Sequence, residues 1–287
     1  MSTASASVRY VRRVLTTTPL ARAHERRATG GALRRPRPIP WSALDRLAFP
    51  QAALDLALDS YVTLAAGEYG AVQVYAQLTS ALALGAAPFD LVTAAASIGA
   101  DEARHADYAM RMACLLAGGE APIPVDIEAL EAPWKGDVSL EDVDRVVLHV
   151  AAISETLACA LVETCLKRTT HPTVRALLGN LLSDEIHHAR FGWHYLTWRS
   201  AQWTRAERQR LADTMANNVV TVEQRFWRGR DAPARERAAA QQLGVLDSEA
   251  QRGAVRAVME EQVVPALDAL GLGGSHAWRA RRLGANA

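Results

Sequence analysis

Two short stretches of this chain repeat one pattern, Asp101-Glu102-Ala103-Arg104-His105 and Asp184-Glu185-Ile186-His187-His188. Each holds Glu-x-x-His in apolar, alanine-rich surroundings that read as helix, and on a helix residues three apart share a face. Each copy therefore aims a carboxylate and an imidazole at one point, which is half of a metal site. Upstream of each copy another apolar helical stretch carries a glutamate: Glu68 in Gly67-Glu68-Tyr69 and Glu155 in Ser154-Glu155-Thr156. Four carboxylates and two imidazoles brought together from four helices form the ligand set of a dinuclear carboxylate centre, whose frame is a helical bundle.

Turn positions test this arrangement. In an antiparallel helix pair, residues at one height are equidistant from the turn between them. The midpoint of Glu68 and Glu102 is residue 85, in the breaker Gly85-Ala86-Ala87-Pro88, and the midpoint of Glu155 and Glu185 is residue 170, in Thr169-Thr170-His171-Pro172. The rival Glu163 has its midpoint with Glu185 at residue 174, past Pro172, and lies roughly 12 Å along the helix from Glu155 at about 1.5 Å per residue. Four helices are thus expected over 52–84, 90–117, 139–167 and 172–199, with short, long and short connections. Asp101 and Asp184 directly precede the two motif glutamates, where a carboxylate can accept the second N–H of a ligand imidazole. His187 points away from His188 and stands outside the ligand set.

Composition agrees with an all-α chain. Of 287 residues, 49% are hydrophobic, which is enough for a sizeable core. The apolar runs have helical rather than alternating periodicity. Cys114, Cys159 and Cys165 are an odd number without a Cys-x-x-Cys pair, so neither a disulfide framework nor a thiolate metal site is implied and a cytoplasmic setting is expected. Glu68, Glu102, Glu155 and Glu163 interrupt the most apolar stretches, so no membrane span is expected. Buried carboxylates are too costly to keep unless a cation neutralises them, and these interruptions themselves point to a metal.

Charge is unevenly placed. Residues 1–39 carry nine arginines against the single acid Glu25, so the rest of the chain is acidic. Residues 1–40 read as a basic arm that buries little. Its arginines are not interleaved with aromatics, so nucleic acid is not the expected partner. A short helix capped by Ser42 is expected to run through Ala48. Residues 41–200 form the metal-binding bundle, and residues 201–287 a helical extension packed on it. That extension contains an amphipathic stripe of Leu211, Met215, Val219, Val222 and Phe226. A second helix covers 248–270, with a kink at Pro265.

On Gly67-Glu68-Tyr69 and Asp101-Glu102-Ala103-Arg104-His105 the chain resembles the ferritin-like superfamily, and within it the dinuclear-iron oxygenases, including the hydroxylase subunits of bacterial multicomponent monooxygenases. The resemblance covers roughly residues 52–199. It implies a ferritin-like four-helix bundle with additional C-terminal helices. It also implies two iron ions held by Glu68, Glu102, His105, Glu155, Glu185 and His188, with Asp101, Asp184 and Arg104 supporting them. The second copy departs in having His187 where Arg104 stands in the first.

Oxygen-rich ligands with two imidazoles suit Fe(II) or Mn(II), as Fe/Fe, Mn/Fe or Mn/Mn pairs. The expected function is an O2-dependent oxidase or oxygenase that hydroxylates, N-oxygenates or desaturates a small organic substrate. Such an enzyme would draw on an external electron donor or reductase, and a homodimer is compatible with it. A dimanganese-catalase-like enzyme and a non-catalytic iron carrier are the alternatives. A ribonucleotide reductase radical subunit is disfavoured by Ala109 four residues after His105, rubrerythrin by the missing cysteine pairs, and storage ferritin by chain length.

Overall fold

In the computed structural model the described residues are 36–123, 138–226 and 233–284, and all regular structure among them is helical. Helix α1 (Gln51–Leu84) starts after Pro50 and ends at Gly85. Helix α2 (Phe89–Ala117) follows Pro88, and Gly118 terminates it with φ 73°, a left-handed conformation that costs glycine no Cβ clash. The short turn between them folds α1 back along α2, and the two pack together over their length.

Helix α3 (Leu140–Arg168) begins in a capping box: the Ser139 hydroxyl accepts from Asp142 N, and the Asp142 carboxylate accepts from Ser139 N. Its middle is not α-helical. Val147–Ser154 is a π-helix, and the α-helical path resumes at Glu155. Such insertions re-aim the residues that follow them and are frequent at functional sites. Helix α4 (Pro172–Ser200) starts with proline at its first turn, where a missing N–H costs nothing, and packs along α3.

Three findings revise the expectations for the body. Ser42 does not cap a helix: Trp41–Ala43 and Arg46–Ala48 are separate 3-10 turns, and Asp45 caps the second by accepting from Leu47 N. Residues 36–40, the end of the expected basic arm, are tied to α4, because Arg37 and Asn180 exchange two 2.9 Å hydrogen bonds and Thr173 donates to Pro40 O. The rest of the arm, residues 1–35, lies outside the described residues. Finally, α3 is long enough, and apolar enough over an 18-residue stretch, to cross a membrane by length and composition alone, despite its interrupting glutamates. In the fold that apolarity packs against α4 and the C-terminal helices.

The C-terminal third comprises α5 (Arg205–Phe226), α6 (Ala234–Gln242), α7 (Ser248–Val258), a π-helical segment (Met259–Val263), α8 (Val264–Ala269) and α9 (Gly274–Gly284). The expected kink at Pro265 is resolved differently: the π segment comes first, and Pro265 falls in the opening turn of α8, where its lack of an N–H is harmless. Helix α6 follows Pro233 and was not expected from the sequence; it packs on α1, while α7 packs on α3. Leu211, Met215 and Val219 of the expected α5 stripe are buried, whereas the side chains of Val222 and Phe226 lie outside the described residues. Between α3 and α4, buried Asp144 accepts from Tyr195 Oη and from Trp203 Nε1, each at 2.8 Å, with Arg199 Nε 3.3 Å away.

Among the described residues the apolar core is two clusters rather than one. The first gathers Tyr75, Ile98, Leu148, Ile153, Phe191 and Tyr195, and the second Ala65, Ala109, Met112, Leu177 and Leu181. Along α1, α2 and α4 the chain passes from one cluster to the other across Glu68, across Glu102 and His105, and across Glu185 and His188. The fold thus sandwiches one polar layer between two greasy ones.

Candidate metal centre

Within that layer Glu102, His105, Glu185 and His188 are all buried, and one ligand atom from each lies within 4.8 Å of the others. The group could hold a metal ion. Helical spacing alone puts Glu102 beside His105 and Glu185 beside His188; the packing of α2 on α4 merges the pairs. His105 Nδ1 is 3.1 Å from Glu185 Oε1 and 3.4 Å from Glu102 Oε2. His188 Nδ1 is 3.1 Å from Glu102 Oε1 and 3.2 Å from Glu185 Oε2. Each carboxylate therefore stands between both imidazoles.

The opposite ring edges are held in a crossed pattern. His105 Nε2 lies 3.2 Å from Asp184 Oδ2 on the other helix, and His188 Nε2 lies 3.5 Å from Asp101 Oδ2. Arg104 joins the two aspartates, at 2.6 Å to Asp101 and 2.8 Å to Asp184. One arginine thus serves both halves, although its counterpart in the second motif, His187, is exposed. Burial lowers the Arg104 pKa, but Asp184 and Asp101 outweigh it and raise it, so the guanidinium stays charged.

Glu68 and Glu155 complete the layer. Glu68 is half-buried and its carboxyl meets Glu102; Glu155 is buried, and its carboxyl meets Glu185. Glu163 is on the surface, paired with Lys167 at 2.8 Å. Tyr75, not anticipated from the sequence, donates its hydroxyl to Glu155 Oε1 at 2.8 Å. Its signal was present, since Tyr75 is seven residues beyond Glu68, two turns along one face of α1. Cys159, one turn beyond Glu155, was also missed: burial, then Glu185 and Glu155, push its thiol up to about 12, so it stays neutral.

Electrostatics sort these groups into two kinds. Burial and then the neighbouring Glu102 and Glu185 push the Glu68 carboxyl well up; burial, Glu185 and Glu102 do the same for Glu155. Burial also pushes Glu102 and Glu185 upward, but the two imidazoles outweigh it and hold Glu102 below and Glu185 well below the usual range. Burial works against the imidazolium forms, yet the surrounding carboxylates raise both histidines well above the ordinary value. Without a cation, then, Glu68, Glu155, His105 and His188 all lean toward their protonated forms.

A metal fits the observed donors. Buried Nδ1 of His105 and of His188, both oxygens of Glu102 and Oε2 of Glu185 have no aligned hydrogen-bond partner among the described residues. Buried polar atoms are seldom left so, and here they cluster around one point. A surface groove of about 870 Å³, lined by Trp41, Arg46, Met110, Cys114 and Leu115, shares no residue with this cluster. The sequence matches no family model and no curated protein.

Proposed function

We propose that this protein is an O2-dependent dinuclear non-haem iron oxidase or oxygenase on a ferritin-like bundle, acting on a small organic substrate with electrons from an external donor or reductase. The observation that carries the reading is the merging of the two Glu-x-x-His motifs, with Glu68 set against Glu102 and Glu155 against Glu185. Charge balance supports two ions rather than one. The raised pKa values of Glu68, Glu155, His105 and His188 and the lowered ones of Glu102 and Glu185 move the metal-free site toward neutrality. Two divalent cations, four carboxylates and two neutral imidazoles are neutral as well, and a buried site tolerates little else.

Glu102 and Glu185, each reaching both imidazoles, would be shared by the two ions, with Glu68 and Glu155 as further ligands. An oxygen-rich set of this kind favours Fe(II) or Mn(II) over zinc or copper. Held there, an iron pair would supply the redox chemistry of O2 reduction, with two of the four electrons drawn from the organic C–H or N–H bond and two from the external donor. The protein's own contribution is orientation. Asp184 holds the Nε2 edge of His105, which turns its Nδ1 toward the carboxylates and raises its basicity, and Asp101 faces the Nε2 edge of His188 at 3.5 Å. Arg104 holds both aspartates, and an apolar cluster flanks the layer on either side.

Metal analysis of aerobically purified protein is expected to give two irons per chain, and Fe(II) with a reductant is expected to start O2 uptake. No bound metal and no O2 uptake would overturn the proposal. Peroxide disproportionation by manganese-loaded protein, without O2 uptake, would replace it with the dimanganese-catalase reading.

A further inference from the structure

The two halves of the site share a motif but not a surrounding. On the α3 side Glu155 is 9% exposed, and its neighbours Ala151, Ala152, Ile153, Thr156 and Leu157 are buried. Tyr75 donates to its Oε1 at 2.8 Å from a fully enclosed position. The buried Tyr75 ring packs 6.3 Å from the ring of His188 and 6.4 Å from that of Phe191. On the α1 side Glu68 is half-buried between the exposed Gly67 and Tyr69. A Cβ at Gly67 would meet nothing within 4 Å. Among the described residues, the Glu68 carboxyl meets Glu102 and no hydroxyl holds it.

One face of α1 therefore gives its own carboxylate to one half and, two turns on, a hydroxyl that locks the carboxylate of the other. A ligand fixed in one rotamer before the cation arrives loses less conformational freedom on binding, and an enclosed cation exchanges more slowly with water. We infer that Tyr75 is a positioning residue that makes the two cation positions unequal: the one beside Glu155, whose carboxylate Tyr75 fixes, is tighter, and the one beside Glu68, whose carboxyl no hydroxyl holds among the described residues, is weaker. This rests on the two-cation reading above and adds an order of filling to it.

Titrating metal-free full-length protein with Co(II), followed by calorimetry and the visible cobalt bands, tests the inference. Two resolved steps are expected. Glu68→Gln should remove the weaker step and leave the tighter one. Tyr75→Phe should weaken the tighter step by about 10–100-fold, the range typical for loss of a ligand-orienting partner, and spare the weaker one. A purely structural role for Tyr75 would weaken both steps alike, and that result overturns the inference. If Tyr75→Phe does not fold, Glu68→Gln still decides, because loss of the tighter step in that variant also overturns it. Two ions entering wild-type protein with one indistinguishable constant would sink the inference and leave the proposed function standing. No cobalt uptake at all would sink both.

Discussion

His188 meets two carboxylates through Nδ1 and faces Asp101 through Nε2, so no other side chain can take its place at both ends of the ring. Glu102 is equally committed, with one oxygen near each imidazole. Replacing either by alanine leaves the remaining buried charges without a partner and removes a ligand from the shared centre. Glu102→Ala and His188→Ala are each expected to abolish stoichiometric uptake of two metal ions, measured by elemental analysis after dialysis. Glu163→Ala, which removes only a surface ion pair with Lys167, should retain both ions. Retention of both ions by Glu102→Ala would refute the ligand assignment.

At the scale of elements, α3 depends on its π-helical stretch to set the direction of Glu155. That stretch sits against Gly192 of α4, where an added Cβ would overlap the backbone of Ala151 and Ala152. Glycine here is a packing requirement, because backbone cannot move aside as a side-chain tip can. Gly192→Ala is expected to cost roughly 1–3 kcal/mol, the scale of overpacking a filled core, and to weaken metal uptake by displacing Glu155. Thermal unfolding and metal titration on the same sample check both. Farther up α3, Ser139→Ala removes the capping hydroxyl, at a cost of about 1 kcal/mol. Hydrogen bonds from the Ser139 side chain and backbone hold the Asp142 carboxyl below its ordinary value. A depressed folded-state pKa stabilises the fold above the ordinary aspartate range of about 4, and that contribution fades as pH falls through the range and below. The gap between wild type and Asp142→Ala in chemical denaturation should therefore narrow on acidification. A gap that widened would contradict the assigned cap.

For the whole molecule, binding a metal and folding are coupled through protons. In the metal-free layer the pKa values of Glu68, Glu155, His105 and His188 are all raised, which favours their protonated forms, so a cation competes with protons there. Loading the site is expected to release protons, read as a dependence of the binding heat on the buffer's ionisation enthalpy. The affinity should fall as the pH is lowered, because protons then compete better. Loaded protein should also melt at higher temperature, since a ligand at a hundred times its Kd stabilises the folded state by about 2.7 kcal/mol. Buffer-independent binding heats would mean that the site is preformed without protons.

The pairing of the two motifs could be read from the sequence because it rests on local rules. Residues three apart on a helix share a face, and residues equidistant from a turn share a height, so Glu68, Glu102, Glu155 and Glu185 could be levelled by arithmetic. Apolar periodicity likewise delimited α1, α2 and α4 to within a residue or two. The features decided by tertiary packing depend on how helices are rotated about their axes, which spacing does not encode. That rotation crosses Asp101 to His188 and Asp184 to His105, and lets one Arg104 serve both. It brings Tyr75 from α1 to Glu155 on α3, and leaves Glu68 nearer to solvent. The π-helical turns and α6 were equally hidden, because they answer to neighbours such as Gly192 and α1 rather than to their own residues. The chain's sequence thus supplied the donors, and the packing of its helices made the two halves of their site different.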